Sequence, residues 1–167
     1  MILPGTTTLE QAKHWLRARY EHGERCPLCN QYVKLYRRQV NAQMVRALIL
    51  LAREGREFAH WPTILHQNGV RADEAKLRYW DLVEEDIQVR PDGGRAGWWR
   101  ITPRGWSFIR GGALIQKYAL IYDTRLMGFD GPAVSIHDCI GKAFDLQELM
   151  SNGNREHSAR YDARRRG

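Results

Sequence analysis

The chain has 167 residues and a formal net charge of +7 at pH 7, from 26 basic and 19 acidic side chains. Hydrophobic residues make up 43% of it and aromatic residues 10%, which excludes a wholly disordered chain and is enough for one buried core. The longest apolar run, residues 47–52, is too short for a membrane span, and the first residues lack the pattern of a secretory signal, so we expect a cytoplasmic protein.

The first predicted element is an amphipathic helix within a segment of residues 1–40. Thr8 is a suitable helix N-cap, and Gln11, three residues later, completes a capping box. Apolar residues then recur at helical spacing on one face, and Gly23 is a typical helix stop. We expect a helix of roughly 13 residues with a charged outer face.

Cys26 and Cys29 form a Cys-x-x-Cys motif with three interpretations. Two thiolates at this spacing can hold one tetrahedral Zn²⁺ in a tight turn, although a structural zinc site needs four ligands. A thioredoxin-like pair needs an adjacent βαβ pattern, which the sequence lacks, and a disulfide is disfavoured in a reducing cytoplasm. Without metal, the motif would be two reduced cysteines in a packed turn. The candidates for the remaining ligands are His14, His22, His60, His66, His137 and Cys139.

From Asn41 onward the pattern predicts helix, short helix, helix, hairpin and helix. Asn41 caps a helix over residues 42–54 whose apolar residues cover more than one face, so this helix is expected to be central to the core. A short helix follows, with Pro62 in its first turn, and it ends at the turn Asn68-Gly69. The later elements are a helix over 71–80, strands over 86–90 and 98–101 around a Gly-rich loop, and a helix capped by Thr102.

This order, over residues 41–112, resembles a winged helix-turn-helix domain. Residues 76–83 resemble the end of a recognition helix that enters the first wing strand. Thr102-Pro103-Arg104-Gly105 resembles the wing-to-helix junction of MarR- and PadR-like regulators, where a Thr-Pro-x-Gly turn is usual. The resemblance implies an α+β fold that contacts double-stranded DNA, with the N-terminal helix serving to form a homodimer.

The DNA-contacting residues that this interpretation requires are basic side chains on the recognition helix and the wing. The acidic residues of the same region oppose it, because carboxylates repel phosphates; residues 61–112 carry 8 basic and 7 acidic side chains. The wing suits a minor groove better than the helix suits the major groove. The predicted contacts are Arg71, Lys76, Arg78, Arg90, Arg95, Arg100 and Arg104.

Residues 113–150 predict a β-hairpin and short helices packed on the winged helix. The hairpin strands cover residues 117–122 and 126–129 and turn at Asp123-Thr124. Ser135 can cap a short helix over 136–140, and residues 145–150 predict one more helical turn. Residues 151–167 are polar and basic, and they are predicted to be a flexible tail.

Motifs spread over about residues 25–150 also resemble a family of uncharacterised proteins encoded by bacteriophages and prophages. They include Cys26-Pro27-Leu28-Cys29, His60-Trp61-Pro62, residues 76–82, 98–102 and 117–122, and Val134-Ser135-Ile136-His137-Asp138. The family tends to have Gly in place of Asp81 and a small apolar residue in place of Cys139. Its His-x-Pro motif makes His60 the preferred third zinc ligand, beside Cys26 and Cys29. Cys139 lies at helical spacing from two isoleucines, so it is expected to be a packed hydrophobe.

No catalytic motif stands out, because the chain lacks a phosphate-binding Gly-rich loop before a helix, a Gly-x-Ser-x-Gly elbow and a His-Glu-x-x-His helix. We therefore predict a non-enzymatic, phage-type DNA-binding protein, such as a transcriptional regulator, that carries a structural zinc ion and acts in the host cytoplasm. The alternative is a winged-helix adaptor that binds a host protein in host takeover or anti-defence and does not bind DNA.

Overall fold

The structure is a computed structural model that describes residues 6–88 and 96–141. It combines α-helices with antiparallel sheets, in agreement with the predicted α+β class. The elements are α1 (Leu9–Arg17), β1 (Glu24–Arg25), β2 (Tyr32–Val33), β3 (Tyr36–Gln39), α2 (Ala42–Arg53), β4 (Ala59–His60), α3 (Trp61–Gln67), a 3₁₀ helix (Glu74–Trp80), β5 (Val83–Glu85), β6 (Trp98–Ile101), α4 (Pro103–Ile109), β7 (Ile115–Tyr122), β8 (Arg125–Val134) and α5 (Ile136–Ile140).

The described residues form two compact units. The N-terminal unit contains residues 6–39 and 118–130, and the central unit contains residues 40–88, 96–117 and 131–141. Residues 118–130 therefore cluster with the N-terminal segment. No described helix has the length and apolar character needed to cross a membrane.

The N-terminal unit begins with α1, whose predicted capping box is confirmed. The N–H of Gln11 donates to Thr8 Oγ1 at 3.3 Å, and the N–H of Thr8 donates to Gln11 Oε1 at 2.8 Å. The helix ends at Arg17, earlier than predicted, and successive turns carry the chain to Gly23 at φ +87°. Within α1 only Ala12 is buried, so little apolar contact supports a longer helix.

The N-terminal unit also contains a two-stranded sheet and most of a three-stranded sheet, of which the first residues of β7 and the last residues of β8 belong to the central unit. The short strands β1 and β2 pair antiparallel on either side of the Cys-x-x-Cys turn. Strand β3 pairs antiparallel with β7, which pairs in turn with β8. The predicted turn between β7 and β8 is confirmed, and both of its residues have positive φ, 47° at Asp123 and 60° at Thr124. That backbone matches the twist of an antiparallel hairpin.

Helix α2 is the centre of the core of the central unit, as predicted from its apolar residues. Its N-cap is confirmed, because the N–H of Met44 donates to Asn41 Oδ1 at 3.0 Å. The helix contacts α3, the 3₁₀ helix, β6 and α5. Trp61 of α3 is fully buried and donates from Nε1 to the carbonyl of Ala47 at 3.0 Å. The buried residues of α2 are Met44, Val45, Ala47, Leu48, Ile49, Leu50, Leu51 and Ala52.

The sheet of the central unit has the strand order β4-β6-β5 and is antiparallel throughout. Two of its features differ from the prediction. The sequence does not predict the strand β4 between α2 and α3, because two residues are too few to give a periodic signal. The first hairpin strand is Val83–Glu85 rather than 86–90, because Val83 is buried whereas Ile87 is 84% exposed. Residues 89 and 90 lie outside the described part of the chain.

The predicted helix over 71–80 is a 3₁₀ helix over Glu74–Trp80. Leu77 and Trp80 are its fully buried residues, and their spacing of three matches the 3₁₀ period. Asp81 follows in the left-handed region at φ 57° and ends the helix. Its conformation gives a physical reason why glycine suits this position.

Thr102 and Ser135 cap α4 and α5 as predicted. Pro103 is the first residue of α4, and α5 has the predicted limits. The predicted helical turn at 145–150 and the predicted tail at 151–167 lie outside the described residues.

Candidate nucleic-acid interface and metal ligands

The turn after α3 is a Schellman motif that sets the path into the predicted recognition segment. The N–H of Val70 donates to the Leu65 carbonyl at 2.9 Å, and the N–H of Gly69 donates to the His66 carbonyl at 3.2 Å. Gly69 has φ +62°, and Val70 is buried. The Asn68-Gly69 signal in the sequence therefore has a defined structural role.

The predicted contacts on the recognition segment differ in their environments. Arg71 and Arg78 are exposed, and the Arg78 guanidinium lies 5.3 Å from the Tyr79 ring centroid. Lys76 instead forms an ion pair with Asp73 on the same segment. Since Asp73 neutralises Lys76, the arginines are the stronger candidates for contacts with an anion.

Arg71 also lines an open groove of about 560 Å³ beside the first turn of α2. Helix N-termini carry partial positive charge, so the groove combines that charge with a guanidinium. Asp73 lines the same groove and opposes an anion there. The groove has no signal in the sequence, because its two walls are about 30 residues apart in the chain, from Asn41 to Arg71.

Arg100 is partly exposed, and two neighbours hold its side chain. Its Nε donates to Glu84 Oε1 at 2.5 Å, and its guanidinium lies 4.6 Å from the Phe58 ring centroid. Glu84 is directly opposite Arg100 in the β5–β6 register, which explains the pair. Arg104 on α4 is exposed. Arg90 and Arg95, the predicted contacts nearest the wing tip, lie outside the described residues.

Hydrogen bonds at the Thr-Pro-x-Gly junction connect the end of the 3₁₀ helix to the start of α4. Thr102 is 5% exposed; its Oγ1 donates to the Asp81 carbonyl at 2.6 Å and accepts from the Gly105 N–H at 3.0 Å. Its own N–H donates to the Leu82 carbonyl at 3.1 Å. A Cβ on Gly105 would lie 2.1 Å from Leu82 O, so only glycine fits. The junction thereby fixes the elements that carry Arg78 and Arg104.

The Cys-x-x-Cys motif occupies the tight turn between β1 and β2. The N–H of Cys26 donates to the Gln31 carbonyl at 2.8 Å, and the N–H of Asn30 donates to the Cys26 carbonyl at 2.9 Å. Asn30 has φ 60°, which closes the turn. Arg25 reaches across it and donates from Nη1 to the Asn30 carbonyl at 3.1 Å.

The two thiols of this turn face the surface and interact with each other. Cys29 is exposed and Cys26 is partly exposed. Hydrogen bonds from the backbone N–H groups of Cys29 and Leu28, together with the Cys29 side chain, lower the pKa of Cys26. Such N–H···S bonds favour the thiolate, which is the form that binds metal.

The other predicted zinc ligand, His60, lies in the central unit, whereas the two cysteines lie in the N-terminal unit. His60 Nδ1 is 2.7 Å from Thr63 Oγ1, and its ring packs against Trp98 with centroids 5.5 Å apart. Within residues 6–88 and 96–141, no group of three or more His, Cys, Asp or Glu side chains is arranged to hold a metal ion. Zinc binding, and His60 as a ligand, stay predictions.

Cys139 is half-buried on α5, whereas its neighbours Ile136 and Ile140 are buried. Burial raises the pKa of its thiol to about 11, which disfavours the thiolate.

No protein-family model matches the chain, and neither a curated protein nor a solved structure is similar to it. The resemblances to MarR- and PadR-like regulators and to the phage-encoded family stay predictions based on the motifs quoted above.

Proposed function

We propose that the central unit is a winged helix that binds double-stranded DNA. The observation that carries this proposal is the position of β4. A winged helix has a short strand between its first two helices, and that strand pairs with the second strand of the wing hairpin. Here β4 lies between α2 and α3 and pairs with β6, on the side opposite β5. The order of helices around this sheet supports the same fold.

The proposed contacts are mainly with DNA phosphates. Arg71, Arg78 and Arg104 are exposed on the recognition segment and on α4, where guanidinium groups can bind phosphate. The 3₁₀ helix has no Asn or Gln, the residues that read adenine; Glu74 is its one acidic residue, and Asp73 and Asp81 lie at its two ends. We therefore expect binding that depends strongly on salt and weakly on base sequence. The resemblance to phage-encoded proteins is the reason to propose a phage regulator.

The test is fluorescence anisotropy with a labelled duplex of about 30 base pairs over a salt series from 50 to 200 mM. The test variant combines Arg71→Ala, Arg78→Ala and Arg104→Ala. Each lost phosphate contact should reduce the slope of log K against log salt by about 0.9. Arg125→Ala, an exposed arginine on β8 in the N-terminal unit, is the control for loss of charge.

The proposal predicts that the triple variant loses most of its affinity at 100 mM salt while Arg125→Ala binds as the wild type does. Absence of wild-type binding at 50 mM salt would overturn it. A second triple variant replaces three exposed arginines of the N-terminal unit by alanine. If both triple variants lose the same DNA affinity, the proposed contacts are refuted, because only net charge would then matter.

A second candidate, a protein-binding adaptor, is favoured by the ion pairs in this region. Lys76 and Arg100, two of the predicted DNA contacts, are each paired with a carboxylate of the chain itself. A stoichiometric protein captured from nuclease-treated host lysate, with no DNA binding in the anisotropy assay, would support the adaptor over the DNA-binding protein.

A further inference from the structure

The Cys-x-x-Cys turn supplies half of the ligands that a structural zinc site needs. A closed site is tetrahedral and takes four ligands, and two thiolates on one tight turn provide two of them. Both thiols lie on the turn between β1 and β2, where Cys29 is exposed and Cys26 is partly exposed.

We propose that Cys26 and Cys29 of two copies of the chain bind one Zn²⁺ together, as a four-thiolate site that joins the copies. The proposal rests on the Cys-x-x-Cys turn and does not depend on DNA binding.

A site made of four thiolates needs a second copy of the chain. The full sequence contains three cysteines, so one chain cannot form a four-thiolate site. The third, Cys139, is half-buried on α5. Among the described residues, no third His, Cys, Asp or Glu is placed with the pair. In the proposed site the missing ligands come from the second copy and not from His60.

The charge of the turn fits such a site. Each thiol loses its proton on binding, so four thiolates around one Zn²⁺ leave a net charge of about −2. Arg25 precedes Cys26, and its guanidinium is held across the turn on the Asn30 carbonyl. Two copies bring two such guanidinium groups, which balance the excess negative charge.

Two exposed apolar side chains close to the cysteines in the chain suit contact with a second turn. Leu28, between the two cysteines, is 63% exposed, and Tyr32 on β2 is 58% exposed. Contact between two turns around the metal would remove both from water. The area is small, so we expect the dimer to depend on zinc.

The experiment is elemental analysis and native mass spectrometry of the full chain, purified under reducing conditions without a metal-affinity tag and supplied with Zn²⁺. The expected result is one zinc per two chains in a dimer that becomes monomeric when zinc is chelated. Co²⁺ in place of zinc should give the intense charge-transfer and visible bands of tetrahedral four-thiolate coordination.

Matched variants separate the ligands from the other candidates. Cys26→Ser and Cys29→Ser should lose both the metal and the dimer, whereas Cys139→Ser and His60→Ala should keep both. One zinc per chain in a monomer, loss of zinc in His60→Ala, or a dimer that survives chelation would overturn the proposal. If a cysteine variant does not fold, the zinc-to-chain ratio and Co²⁺ spectrum of the wild type still decide the question.

Discussion

Replacing Gly105 by alanine tests the packing at the start of α4. The added Cβ would lie 2.1 Å from Leu82 O and 2.6 Å from Ile101 Cγ2. An ordinary carbon–oxygen contact is about 3.3 Å, so the two segments must separate by about 1.2 Å. The nearest obstacle is backbone, which cannot rotate away as a flexible side chain can.

The separation also affects hydrogen bonds at the junction. The Leu82 carbonyl accepts from Thr102 N–H, and Thr102 in turn caps the helix at Gly105. Overpacking costs about 3 kcal/mol at its upper range, and a weakened buried hydrogen bond adds about 1 kcal/mol. The better helix propensity of alanine returns at most about 1 kcal/mol. We therefore expect Gly105→Ala to lower the free energy of unfolding by about 3 kcal/mol.

The assay is urea unfolding followed by tryptophan fluorescence, since Trp61, Trp80 and Trp99 are buried in the central unit. Gly128→Ala is the control, because a Cβ at Gly128 has no neighbour within 4 Å and its φ is not positive. The control should change the unfolding free energy by no more than about 0.5 kcal/mol. A loss below about 1 kcal/mol in Gly105→Ala would refute the argument from close backbone packing.

Three further predictions concern the backbone, the core and the thiols. Asp81→Gly should raise the unfolding free energy by roughly 0.5 kcal/mol in the same urea assay, because it relieves a left-handed conformation; a clear loss would contradict this reason. Trp61→Phe should cost about 2 kcal/mol through the lost hydrogen bond to the Ala47 carbonyl and a smaller ring; an unchanged urea midpoint would refute it. In zinc-free protein, iodoacetamide should modify Cys26 first and Cys139 last between pH 7 and 8, because the pKa of Cys26 is lowered and that of Cys139 is raised to about 11. Peptide mapping measures the order, and equal rates would refute it.

The proposed DNA contacts have a consequence for specificity. Exposed Arg71, Arg78 and Arg104 can bind phosphate, whereas Lys76 and Arg100 already have carboxylate partners. A winged helix with this distribution would derive its affinity mainly from the DNA backbone. Sequence preference would then depend on DNA shape more than on base contacts.

Local features of the fold could be predicted from the sequence. The capping box at Thr8, the caps at Asn41 and Thr102, and the hairpin turn at Asp123 depend on side chains and backbone angles within a few residues. The buried state of α2 followed from apolar residues on more than one face. Such features are fixed by near neighbours, so pattern alone is sufficient to find them.

Contacts between distant segments were decided only by the tertiary structure. Strand β4 has two residues and exists because β6 pairs with it, and the pairing of Arg100 with Glu84 follows from the strand register. The 3₁₀ form of Glu74–Trp80 depends on which side chains the core buries. The sequence alone indicated arginines as candidate contacts, but Glu84, which neutralises Arg100, lies on a neighbouring strand. The sequence shows which residues carry charge, whereas the fold decides which of these charges are already paired within the chain.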